Sequence, residues 1–292
     1  MYKCLFVNKS MYRLLIVLFI ILLCTAFFIA GKKIFTVSAE KSSEKAVLLP
    51  VIMYHSVCEK TPSDYIVNPQ QFKNDLAWLK NNGYSSVSAH QLIDYTHGIG
   101  ELPEKPVFIT FDDGFYNNLS LALPLLEKFD MCAVVSIVGR YTDDYAPADP
   151  HVDNYSYLTW SDISELIASG RIEIGSHTYD LHSNKSERHG CTKLASETVE
   201  KYTEMLSTDI GLLKTELIQN CGIAPVVFAY PFGALSQESL PVIRDNGILM
   251  TLTCREDINL ITRDSDCLYG IFRYNRSGLL TTEEFMEKIT KN

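Results

Sequence analysis

The sequence predicts an α/β protein, a (β/α) barrel of about seven strands preceded by an N-terminal transmembrane helix. Three observations predict it. Short apolar runs alternate with helical patterns from residue 47 to the C-terminus. About seven such units fill about 245 residues, the usual size of such a barrel. Residues 14–31 (LLIVLFIILLCTAFFIAG) are an uncharged, apolar run of 18 residues. As a helix it reaches about 27 Å, close to the thickness of a bilayer's hydrocarbon. An open doubly wound sheet is the structural alternative.

Lys3, Lys9 and Arg13 precede the run, and no acidic residue occurs before Glu40. The positive-inside rule therefore places residues 34–292 outside the cytoplasm. A cleaved signal peptide is the rival reading, since Val37-Ser38-Ala39 resembles a cleavage site. Lys32 and Lys33 interrupt its approach. The predicted organisation is an anchor (1–33), a polar stalk (34–46, IFTVSAEKSSEKA) and a working domain (47–292). The expected protein is a single-pass one of the cell membrane, or a secreted one if the segment is cleaved. Residues 1–33 carry five positive and no negative charges against a net −9, leaving −14 for the rest. So acidic an exterior argues against nucleic acid and against anionic polymers as partners. Six cysteines (58, 132, 191, 221, 254 and 267) lie in that part. An oxidising exterior permits disulfides, but the spacing fixes no pairing and suggests no cysteine metal site.

Along the working domain, LLPVIMYH (48–55) reads as the first strand. Asn68-Pro69 opens a helix as cap and first-turn proline, with Phe72, Leu76 and Leu79 as its stripe. Ser88 and Gln91 form a capping box for the next. Strands follow at VFITF (107–111), CAVVSIV (132–138), RIEIG (171–175), VVFAY (226–230), ILMTLT (248–253) and LYGIF (268–272). Helices fall at 117–129, 161–169, roughly 193–219, 236–246 and 281–290, and a long polar loop at 139–157.

The chemistry sits at strand ends. FITF runs into Asp112-Asp113-Gly114, RIEIG into Ser176-His177, and VVFA into Tyr230-Pro231-Phe232-Gly233. In a parallel barrel the C-terminal strand ends share one face, where active sites lie. His177 and His182 with an aspartate make a ligand set for zinc or a related divalent metal, with positions left open. Adjacent side chains on extended backbone diverge, so one aspartate can hold the metal while its neighbour faces a substrate water. Each motif alone is ordinary: a DD pair before glycine is often a turn, and histidines five apart are often surface residues. Their shared position favours a site.

TFDDGF, SHTYDLH and AYPFG together resemble the signature motifs of the polysaccharide deacetylases, carbohydrate esterase family 4 with its NodB-homology fold. The resemblance spans roughly residues 48–275. MYHSV (53–57) and the wide histidine spacing look most like the exported poly-β-1,6-N-acetylglucosamine deacetylases. It implies a deformed (β/α) barrel and metal-dependent removal of acetyl groups from N-acetylglucosamine polymers. Zinc is the first choice of metal, with cobalt, nickel or manganese as alternatives. Position by position, Asp112 matches the general base and Asp113, His177 and His182 the metal ligands. Tyr230, Pro231 and Phe232 match a groove wall where a backbone N–H helps hold the oxyanion.

Two departures stand out. Ala229 occupies the position of an arginine that orients the base, and no histidine follows Arg255 to supply the family's late general acid. Arg273 is the best replacement for the arginine, with Arg276 the second choice. His55, ending the first strand on the same face, is the candidate acid. Trp160 is a candidate sugar contact, although its place at a helix start also suits the core. His90, His97, His151 and His189 read as surface residues. A glycosidase would need two carboxyl groups about 5–10 Å apart across the sugar, which adjacent aspartates do not suit. A catalytically impaired, glycan-binding homologue of the same fold is the other alternative.

Overall fold

The computed structural model describes residues 46–291, apart from 149, 185 and 186, together with Phe19, Leu22 and Thr25. The chain divides into two units, Met1–Lys45 and Ala46–Asn292. The predicted anchor and stalk lie outside the described residues, save for those three helical positions and Ala46. Among the described residues no helix is long and apolar enough to cross a membrane.

Eight strands build the sheet: β1 (Val51–Tyr54), β2 (Pro106–Phe111), β3 (Ala133–Ile137), β4 (Ile172–Ser176), β5 (Val227–Ala229), β6 (Met250–Leu252), β7 (Tyr269–Ile271) and β8 (Tyr274–Asn275). Their order is 7-6-5-4-3-2-1-8, and every pairing is parallel. A two-residue strand, Ser85–Ser86, also pairs with β2. This order dictates the shape. β7 and β8 lie at opposite edges, yet only Phe272 and Arg273 separate them. Three peptide units span at most about 11 Å. Eight strands laid flat would span about 34 Å at the usual strand spacing. The sheet must therefore curl until its edges almost meet, and Arg273 lies on the seam. The sequence expectation of about seven strands misses β8, too short to show an alternating pattern.

Helices cover the outside. α1 (Pro69–Asn81) and α2 (Ala89–Thr96) begin at Asn68 and Ser88, both with complete capping boxes. α3 (Leu123–Phe129) carries Pro124 in its first turn, where a missing N–H costs nothing, and follows a π-helical turn at 118–122. The predicted loop 139–157 needs correction. Gly139–Tyr145 is a helix, α4. The remaining α-helices among the residues described from 46 on are α5 (Trp160–Ala168), α6 (Val199–Cys221), α7 (Ser239–Asp245) and α8 (Thr282–Thr290). An antiparallel ribbon, Val47–Leu49 with Asn259–Ile261, and a parallel pair, Ser56–Val57 with Ile66–Val67, were not expected from the sequence.

Strand alternation sorts the core into layers. Val107, Ile109 and Phe111 face α1, α3 and α8, against Leu76, Leu126 and Phe285. Val51, Phe108, Val134, Val227, Ala229, Met250, Leu252 and Ile271 pack together from six strands of the sheet. These are the inward residues. Phe228 and Tyr230 face outward, against α6 and α7.

Candidate active site

The inward parity, continued past the strand ends, builds the site. After Val51 and Met53 comes His55, and after Phe108 and Thr110 comes Asp112. After Gly175 comes His177, after Met250 and Leu252 comes Cys254, and after Ile271 comes Arg273. Five strands thus deliver polar groups into one mouth.

Asp112 and Arg273 are both buried, and they form a two-pronged ion pair. Nη1 donates to Oδ1 and Nη2 to Oδ2, each at 2.7 Å. Nε donates to the Thr253 carbonyl at 2.8 Å, so the guanidinium is fixed by backbone as well. Burial alone would raise the Asp112 pKa, but the charge and hydrogen bonds of Arg273 outweigh it and hold the carboxyl well below the usual range. Arg276, the second choice, is occupied elsewhere, paired with Asp75.

Asp113 turns away from its neighbour. Its φ is +73°, a left-handed conformation that a non-glycine residue rarely adopts. Thr178 (+73°) and Phe232 (+58°) share that feature at the ends of β4 and β5. Strain at all three strand ends marks the mouth. Gly233 follows at +66°, and a Cβ there would meet the Cys254 Cβ at 2.7 Å, so only glycine fits.

Asp113, His177 and His182 gather their ligand atoms within 4.8 Å of one another. Asp113 Oδ1 lies 3.3 Å from His182 Nε2 and 3.7 Å from His177 Nε2. Donors held about 2.0–2.1 Å from a tetrahedral zinc lie about 3.4 Å apart, so these spacings suit one. Asp113 Oδ1 is buried and has no hydrogen-bond partner among the described residues. Burial pushes Asp113 up to about 6, with the charge of Asp112 adding to it and His55 opposing. Burial pushes His177 down to about 4 and lowers His182 as well. Neutral imidazoles around an orphaned carboxylate oxygen are what a divalent cation requires. The Nδ1 atoms face away from the cluster. That of His177 lies 2.8 Å from the Ala229 carbonyl, and that of His182 lies 3.2 Å from the Tyr141 hydroxyl.

His55 lies in the same mouth. Its ring meets Tyr65 edge-on at 4.8 Å, and its Nδ1 is buried without a partner among the described residues. Burial lowers its pKa, while Asp113 and Asp112 pull the other way. Asn118 Nδ2 donates to its carbonyl at 3.0 Å.

The groove-wall expectations divide. Phe232 is 38% exposed, and its ring lies 4.5 Å from His182 and stacks on His189 at 4.8 Å. Pro231 is buried beside it. Tyr230 needs correction as a groove residue. It is 3% exposed, and its hydroxyl pairs with Ser239 on the outer side, as the outward parity of Phe228 requires. Trp160, partly buried, follows the second of its two readings, the core. It opens α5, packs on the core and donates its indole N–H to Asp143 at 2.9 Å. His189, expected on the plain surface, is exposed but stacked at the groove edge. His90 is exposed beside Glu173, and His97 is exposed. His151 pairs with Asp162 and stacks on Tyr116. Cys58, Cys132, Cys191, Cys221, Cys254 and Cys267 are free thiols.

The sequence profile of the polysaccharide deacetylase family matches residues 99–251, more than half of the chain. The chain belongs to the polysaccharide deacetylase family. Among individual relatives, the poly-β-1,6-N-acetyl-D-glucosamine N-deacetylase of Escherichia coli K12 is 27% identical over 224 residues. That match covers 69% of this chain and 33% of the relative, so this chain spans about a third of that protein's length. The Staphylococcus aureus protein of the same name is 24% identical over 226 residues, covering 77% and 73%. Two solved structures share the fold. The de-N-acetylase from Aggregatibacter actinomycetemcomitans superposes with a TM-score of 0.69 at 24% identity, covering 82% of this chain and 99% of that one. IcaB from Ammonifex degensii gives 0.67 at 23%, covering 84% and 97%. The likeness to these confirms the curled deacetylase barrel.

Proposed function

We propose that this deacetylase is a metal-dependent hydrolase removing N-acetyl groups from N-acetylglucosamine residues of an extracellular polysaccharide, poly-N-acetylglucosamine or peptidoglycan. The observation that carries the reading is the orphaned Asp113 oxygen between two imidazoles, beside a second aspartate clamped by Arg273. Relatives named for deacetylation of poly-β-1,6-N-acetyl-D-glucosamine support the reaction.

Asp113, His177 and His182 would hold the metal. Once bound, a divalent ion such as zinc supplies Lewis acidity, polarising the acetyl carbonyl and acidifying the attacking water. Asp112 receives the water's proton on a carboxylate oxygen, with its plane fixed by Arg273. The Phe232 N–H donates to the oxygen on which charge develops. His55 passes a proton to the leaving nitrogen, and the C–N bond breaks to give acetate and an amine. Phe232 offers an aromatic face to the sugar. Residues 14–31 anchor the enzyme in the cell membrane with this domain outside.

Acetate release from N-acetylglucosamine oligomers by the full-length protein tests the reading. Release that stops with chelator and returns with zinc or cobalt is expected. No acetate from β-1,6-linked, β-1,4-linked or peptidoglycan substrates, with metal bound, would leave a glycan-binding homologue instead. His55→Ala lowers kcat by about a hundredfold if His55 is the acid, within the range for general acid–base groups. A kcat within threefold of the parent would remove that role.

A further inference from the structure

The geometry points to Tyr141 as a positioning residue whose hydroxyl sets the tautomer and ring orientation of His182, so that Nε2 presents its lone pair to a metal. This rests on the metal reading above. The hydroxyl lies 3.2 Å from His182 Nδ1 and 3.3 Å from the His182 carbonyl oxygen. A hydroxyl has one hydrogen to donate and lone pairs to accept with. A carbonyl can only accept, so the hydrogen goes there and the hydroxyl oxygen accepts from Nδ1–H. Nε2 is then left unprotonated, as a ligand must be. The opposite tautomer would put a hydrogen on Nε2, 3.3 Å from Asp113 Oδ1. That oxygen has no hydrogen-bond partner among the described residues, so the ring is not aimed to donate to it. Both contacts of the hydroxyl go to one residue, which fixes the His182 ring relative to its own backbone. His177 differs, since its Nδ1 faces a backbone carbonyl that no substitution can remove.

The support behind Tyr141 is built for this. Helix α4 is tied to the strand-end segment by Gly139 N–H to the Thr178 carbonyl at 3.2 Å and Arg140 N–H to the Tyr179 carbonyl at 2.8 Å. A Cβ at Gly139 would lie 2.5 Å from the Tyr179 ring, so glycine permits the approach. The Tyr141 ring packs on Tyr157 at 4.5 Å, and Tyr157 stacks on Phe115 at 4.9 Å, two residues after Asp113. The helix carrying the hydroxyl is thus locked to both metal-ligand segments, and removing one oxygen leaves that packing in place.

The test compares full-length wild type, Tyr141→Phe and Tyr145→Phe after chelator stripping. Tyr145 packs on the same Tyr157 ring, and its hydroxyl donates to the Tyr155 carbonyl. Zinc affinity is read by competition with a chromophoric chelator, ligand geometry by the cobalt absorption spectrum, and folding by the metal-free melting temperature. We expect Tyr141→Phe to weaken zinc about tenfold or more, as loss of an outer partner of a metal histidine does. Its cobalt spectrum shifts and its metal-free melting temperature stays. Tyr145→Phe changes none of the three. Wild-type affinity and spectrum in Tyr141→Phe would overturn the inference while leaving the metal site standing. Equal losses of affinity in both variants, with lowered metal-free melting, would reduce Tyr141 to a packing residue and overturn it too. A wild type that binds neither zinc nor cobalt would overturn the metal reading and this inference together.

Discussion

Asp112→Asn lowers kcat for acetate release by about a thousandfold or more, near the upper range for a general base, while zinc still binds. The shape of the side chain is kept, but the amide cannot take a proton from water. The substitution has a second effect that must be separated from the first. Arg273 is fully buried, and both its terminal nitrogens donate to Asp112 at 2.7 Å. An amide offers one oxygen and turns its own N–H groups towards the other nitrogen. Removing one partner of a buried pair costs about 3–5 kcal/mol. Asp112→Asn therefore also destabilises the fold. Adding Arg273→Met removes the stranded charge and recovers part of that loss. It restores no activity, because the base is still absent. Urea denaturation and initial rates on the two variants and on Arg273→Met alone give the full cycle. Asp112→Asn retaining a tenth of wild-type kcat would exclude Asp112 as the base.

Much of this site was legible because a strand's end is legible. FITF before two aspartates, RIEIG before Ser176-His177 and VVFA before Tyr230-Pro231 each show an apolar run stopping at polar groups. A parallel sheet does the gathering. Strand parity was legible too, and would have put Tyr230 on the outer side with Phe228, leaving Ala229 inward. What could not be read was the closure. Arg273 reaches Asp112 because two residues cross from one sheet edge to the other, and β8 is only two residues long. Tyr141 was hidden for another reason. GRYTDDY has no apolar stripe and begins with glycine, so nothing local announces a helix. Its helical state is set by the Thr178 and Tyr179 carbonyls that receive its first N–H groups. Trp160 shows the converse, since an aromatic after a threonine cap reads equally as groove or core until Asp143 claims its indole N–H.

The seam that brings Arg273 to Asp112 is itself held by a second buried pair, and breaking it is expected to cost as much stability as breaking the first. Asp75 on α1 and Arg276 after β8 are both fully buried. Asp75 Oδ2 accepts from Arg276 Nε at 2.7 Å and from Tyr54 at 3.0 Å, while Oδ1 accepts from Thr282 at 2.7 Å and Arg276 Nη2 at 3.1 Å. One carboxylate thus joins β1, α1, the chain after β8 and α8. Asp75→Ala strands the guanidinium and two hydroxyls, and should cost about 3–5 kcal/mol in urea denaturation. Arg276→Met in the same chain removes the unpaired charge and recovers part of the loss. Arg276 N–H donates to the Met53 carbonyl at 2.9 Å, which continues the β1–β8 pairing three residues beyond Arg273. Loosening it lets the seam shift, so Asp75→Ala also lowers kcat well below its melting point, although Asp75 belongs to another layer of the fold. A stability loss below 1 kcal/mol would mean that water or another donor replaces the pair. A full loss of stability with unchanged kcat would mean that Thr253 and the chain around Arg273 hold the guanidinium without help from the seam.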